Sequence, residues 1–129
     1  MDMIAVRLNP GEDLKQSLLG YCIDQTIDAA YILSCVGSLH HAAIRFANKS
    51  AGTVFDQPLE IISLQGTLSQ HGAHLHIAVS DSAGQVIGGH LMDGSTIYTT
   101  AEIVLGMVPN TIFKREIDLL TGYRELTIT

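Results

Sequence analysis

Apolar and polar positions alternate along most of this chain, and one stretch near the start follows helical spacing instead. Residues 4–8 read as a short first strand. Asn9-Pro10-Gly11-Glu12 then supplies a helix start, with Asn9 as cap, Pro10 at the first helical position and Glu12 at the reciprocal position of a capping box. Leu14, Leu18, Tyr21 and Cys22 recur at helical spacing, which predicts a helix to about Gln25 with its apolar stripe towards a sheet. From Asp28 onward the texture is that of strands. Residues 29–36 and 39–47 are β-like runs separated by Gly37-Ser38, 48–58 a polar loop, and 59–69 a long strand. Gln70-His71-Gly72 turns the chain into a hairpin, Met92-Asp93-Gly94 turns it again, and 95–108 is rich in β-branched residues up to Pro109-Asn110. Residues 112–119 suit a strand or a helix, and 123–129 close as a strand. The expectation is a single α+β domain over 1–129, a largely antiparallel twisted sheet of about seven strands packed with one main helix.

The hairpin carries the chemistry. His74 and His76 are two apart, so on a strand both project from one face. Ala73, Leu75, Ile77 and Val79 form the apolar row, with Ile87 and Leu91 as the matching positions after the turn. Pairing Ile77 with Ile87 places Leu75 opposite Gly89 and His74 opposite His90, with a Gly-containing loop over 80–84. Three of the six histidines then share one side of one hairpin. That arrangement suits either a three-nitrogen metal site or a polar seam between subunits. Imidazole suits zinc, and three protein ligands leave a fourth position open.

Glu60 and Glu102 sit inside apolar strands. They are candidates for support of a metal-bound histidine, for a general base, or for salt bridges to Arg7, Arg45 or Arg124. His40 and His41 face opposite sides of a strand and His71 lies in a turn, so none of these is assigned a role. Ser63 lacks a Gly-x-Ser-x-Gly setting, and Gly84-x-x-x-Gly88-Gly89 does not open a helix. Neither a serine nucleophile nor a phosphate loop is indicated.

Composition adds three constraints. Apolar residues make up 47% and charged residues only 16%, a balance that points to apolar surface covered by further copies of the chain. Seven basic against thirteen acidic residues give a net charge of −6, and Lys114-Arg115 is the only adjacent basic pair. DNA affinity rests largely on neutralised phosphates, so this balance does not support strong direct binding by the isolated chain. Cys22 and Cys35 match no zinc or redox spacing and read as buried free thiols. The start, Met1 to Arg7, has no signal-peptide character, and no apolar run is long enough to span a membrane, which places the chain in the cytoplasm.

Five segments, taken together, resemble the PPC domain (plants-and-prokaryotes domain). They are Val36-Gly37-Ser38-Leu39, the run from Leu59 to Thr67, His74-Leu75-His76, the run from Gly84 to Leu91, and the run from Thr99 to Gly106. The resemblance implies a compact α+β body that assembles as a homotrimer, a DNA-binding or regulatory interaction module. In plants the domain accompanies AT-hooks, but no Arg-Gly-Arg-Pro hook occurs in these 129 residues. The resemblance also implies the alternative of a zinc-binding enzyme or small-ligand binder, with the metal held by His74, His76 and His90.

Overall fold

The computed structural model describes residues 2–129; Met1, part of the N-terminal reading above, lies outside them. Strand β1 (Met3–Leu8) leads to helix α1 (Leu14–Asp24) and then to β2 (Ala30–Arg45), β3 (Thr53–Phe55), β4 (Leu59–Ser69) and β5 (Gly72–Ser80). Strands β6 (Val86–Leu91), β7 (Thr96–Met107), β8 (Phe113–Ile117) and β9 (Arg124–Ile128) follow. Every strand pairing is antiparallel. With a single helix among the described residues, this is the expected α+β class.

The expected loop over 48–58 holds the short strand β3, formed because it pairs with the end of β2, and two boundaries differ from expectation, each for a local reason. The helix starts one turn late and Asp13 caps it, accepting from the Gln16 amide at 2.9 Å and from the Gly94 amide at 2.7 Å. The Glu12 carboxylate does reach back to the Asn9 amide, at 2.6 Å, but Gly11 has a φ of +87° and bends the segment out of helix. The second difference is at Gly37. It does not separate two strands; β2 runs through it for 16 residues. Gly37 pairs with Ile61 on one side and Ala101 on the other, and a Cβ there would collide with the Thr100 carbonyl oxygen and the Ala101 Cα. It is a close-approach glycine inside a central strand.

The long β2 organises the sheet. Strand order is β1-β7-β2-β4-β5-β6, with β3 also on β2, and the far end of β2 pairs again with β6. The path β2–β4–β5–β6 therefore returns to its starting strand. Alternating residues of these strands, among them Leu39, Ile44, Leu64, Leu75, Val79, Leu91, Ile97 and Leu105, are fully buried, and α1 adds Leu14, Leu18 and Cys22. Burial of each Leu or Ile contributes about 1.5–3 kcal/mol relative to exposure. Strands β8 and β9 form a separate two-stranded ribbon, and Phe113 at its base is buried while the Phe113 carbonyl accepts from Ser69 Oγ at 2.7 Å.

Candidate functional site

The histidine hairpin is two residues out of the expected register. His76, not His74, stands opposite His90, and Val79 opposes Ile87. Asp81 sets this register: its carboxylate accepts from the amides of Ala83 and Gln85, both at 2.9 Å, closing a loop over 81–85 rather than 80–84. A two-residue slip preserves facing, because side chains alternate with period two. His74, His76 and His90 therefore do share a face, as expected.

Their geometry is close. Ring centroids lie 5.0 Å apart for His74 and His76, 5.1 Å for His74 and His90, and 5.9 Å for His76 and His90. One ligand nitrogen from each ring falls within 4.8 Å of the other two. A tetrahedral ion with bonds of about 2.0–2.1 Å needs nitrogens a little over 3 Å apart, so modest ring rotation closes the set. Among the described residues no hydrogen bond or ion pair occupies the three rings. Burial lowers the pKa of His74, with Arg115 and His76 adding to the effect, and burial together with Arg45 and His74 lowers that of His90 to about 4. Both rings are thus neutral near pH 7, the form whose nitrogen lone pair binds metal. The donor set fits a zinc-type ion.

The backbone beneath the rings is tightly drawn. Arg45 stands opposite His90 where β2 meets β6, and a Cβ on Gly89 would lie 2.6 Å from the Arg45 carbonyl oxygen. Glycine at 89 lets the two strands approach there. The β8–β9 ribbon forms the facing wall. Arg115 donates to Thr67 Oγ1 at 2.8 Å, and Thr67 pairs with His74 across β4 and β5. The result is a cleft of about 870 Å³ lined by the three histidines, by Gly88 and Gly89, by the 45–50 segment, and by Arg115, Tyr123, Arg124 and Glu125.

Other sequence candidates fall elsewhere. Glu60 is exposed and pairs with Ser80, at the far end of β5 from His74 and His76. Glu102 is exposed on β7 opposite Arg7 and Val36, with only Thr100 Oγ1 within reach at 3.5 Å. Neither supports a histidine, and neither forms an ion pair among the described residues. His41 lies 3.5 Å from Asp56, His71 lies 3.9 Å from Asp28, and His40 packs edge-on to Tyr98. Cys22 and Cys35 are free thiols, but only Cys22 is fully buried. No helix is long and apolar enough to cross a membrane among the described residues. Sequence reasoning missed Arg115, Tyr123 and Glu125 as cleft residues and gave Arg45 and Arg124 no place beside the histidines. No spacing relates them to the hairpin, since ring closure and ribbon docking bring them there.

An α+β body with one helix and a histidine cluster on one hairpin matches a known family. Residues 1–109 match the Plants and Prokaryotes Conserved (PCC) domain, and the chain belongs to that family, the PPC domain of its motifs. It is 47% identical over 123 residues to the bifunctional protein GlmU of a Synechococcus strain; the match covers 95% of this chain and 20% of that protein. The chain thus spans about a fifth of that relative's length. It is 29% identical over 107 residues, 78% of this chain and 26% of the relative, to AT-hook motif nuclear-localized protein 14 of Arabidopsis thaliana. Among solved structures, a hypothetical protein from Salmonella enterica superposes with a TM-score of 0.96 at 41% identity, covering 99% of this chain and 93% of that one. A metal-containing protein from Archaeoglobus fulgidus gives 0.83 at 26% identity, covering 98% and 94%. A candidate DNA-binding protein from Bacteroides thetaiotaomicron gives 0.86 at 23% identity, covering 97% and 91%, and so shares the fold.

Proposed function

We propose that this chain is a metal-binding, self-associating PPC module, acting as one unit over 1–129, in which His74, His76 and His90 hold zinc and leave a coordination position for a small ligand. The observation that carries it is the convergence of three rings, two of them held neutral, with ligand nitrogens within 4.8 Å and no competing hydrogen bond or ion pair among the described residues. The metal-containing relative from Archaeoglobus fulgidus supports the reading. Zinc in such a site supplies Lewis acidity; the protein supplies the fixed donor triangle and the walls of the cleft. In untagged protein never exposed to chelator, elemental analysis is expected to find close to one zinc per chain. The His74→Gln/His76→Gln/His90→Gln protein is expected to keep less than about a tenth of that. Equal metal in the two preparations, or less than about a tenth per chain in the wild type, would overturn the assignment.

A second reading, a regulatory module acting on DNA or protein partners from the cytoplasm, draws on the nuclear AT-hook relative and the candidate DNA-binding structure. The absence of an AT-hook in these residues and the net charge of −6 weigh against direct DNA contact. Retardation of duplex DNA at low salt with protein in excess would favour it.

A further inference from the structure

The charges of this chain are unevenly placed. Of its seven basic residues, Arg45, Lys49, Arg115 and Arg124 line the cleft, where Glu125 is the only acid. The cleft lining thus carries +3, and the remaining three basic and twelve acidic residues carry −9. A cleft of net positive charge in an oppositely charged body focuses field lines onto itself.

None of these cations is in contact with a carboxylate among the described residues, and Glu125 acts on Arg115 only through space. No carboxylate lies within 4.0 Å of Arg45, Lys49, Arg115 or Arg124 among the described residues, where the only such contacts are His41 with Asp56 and His71 with Asp28. Arg115 is half-buried and hydrogen-bonded to the neutral hydroxyl of Thr67. Arg124 leans on the Arg115 carbonyl at 3.4 Å. Holding the half-buried Arg45 and Arg115 without a carboxylate in contact costs free energy that a bound anion would offset.

We propose that this cleft binds a small molecule through its oxyanion, a carboxylate or a phosphate, gripped by Arg45, Arg115 and Arg124 beside the three histidines. The inference rests on the metal assignment for the role of the histidines, but the arginines stand without it. Guanidinium forks match the two oxygens of a carboxylate or phosphate. A cleft of about 870 Å³ suits a metabolite-sized ligand. A polyanion such as DNA would meet the −9 of the remaining residues, so the occupant is a small molecule. The grip is assembled from two sources. Arg45 belongs to the family-matched region, and the β8–β9 ribbon bringing Arg115 and Arg124 lies beyond residue 109, where that match ends. The ribbon is therefore the part that sets which anion is held.

Inorganic phosphate and malonate are the probes, titrated separately into cobalt(II)-loaded protein while its visible spectrum is followed, and into metal-free protein by calorimetry. At least one should bind with a Kd near or below ~1 mM and perturb the cobalt spectrum; which one binds tighter separates phosphate from carboxylate. Arg45→Gln/Arg124→Gln should weaken that binding about tenfold or more while the three histidines still take up cobalt. Arg124→Gln alone, at an exposed position, serves if the double variant melts early. Equal anion affinity in wild type and Arg124→Gln, no binding of either anion up to ~10 mM, or tighter binding of short duplex DNA than of either anion overturns the proposal. Failure of the metal assignment reads differently. Cobalt would then bind the triple glutamine variant as well as the wild type, while arginine-dependent anion binding would persist in the calorimeter.

Discussion

Burial decides how individual titratable groups behave. It keeps His74 and His90 neutral at the pH where metal would bind, and it pushes the thiols of Cys22 and Cys35 from 9.0 up to about 11. The thiol shifts carry a defined pH dependence. A protonated thiol in the folded protein and an ionising one in the unfolded chain mean that the folded state binds more protons between pH 9 and about 11. The stability from these groups is complete below 9 and is lost as pH rises through that window. Urea midpoints measured at about pH 8 and about pH 10.5 should fall further for the wild type than for Cys22→Ala/Cys35→Ala. Equal falls would show that the thiols contribute nothing. The sequence placed both cysteines among apolar neighbours but did not separate fully buried Cys22 from half-buried Cys35. Apolar neighbours along a strand do not say which face a second layer covers.

Strand and helix boundaries follow contacts more than composition. Gly37 resembled a break because glycine punctuates strands, yet it serves close packing of β2 on β7. Gly37→Ala should therefore separate those strands and cost about 1–3 kcal/mol, whereas Gly20→Ala should gain about 0.5–1 kcal/mol. Gly20 lies within α1 and its Cβ would meet nothing within 4 Å. Denaturant titration of both variants checks the pair; a neutral Gly37→Ala would mean that the two strands can move apart freely. The Asp81 loop and the Asp13 cap teach the same lesson. In each case one carboxylate chose between two starts that the apolar pattern left open, and the facing of the histidines survived only because the slip was an even number of residues.

For the whole molecule, the outer sheet face bears on assembly. Val36 and Ile62 are 57% and 56% exposed, next to each other across β2 and β4 as set by the Gly37–Ile61 pair, with Glu102 beside Val36 on β7. Exposed β-branched side chains on a central strand pair, in a chain only 16% charged, suit contact with further copies. The expected mass by light scattering is about three times 13.9 kDa, and Ile62→Glu should shift it towards one chain. An unchanged mass for Ile62→Glu would place the contact elsewhere.

The sequence by itself determined the α+β class, the antiparallel pairing of the histidine hairpin, the family and the shared face of His74, His76 and His90. The family followed from the resemblance of five sequence segments; the class, the pairing and the shared face follow from periodicity and local turn chemistry, which neighbouring residues specify. Only the tertiary structure decided which cations join the histidines. Arg45 arrives because β2 closes back on β6, and Arg115 and Arg124 because a separate ribbon docks over the hairpin. Residues far apart in the chain meet through strand closure and docking, and no spacing along the sequence encodes that meeting.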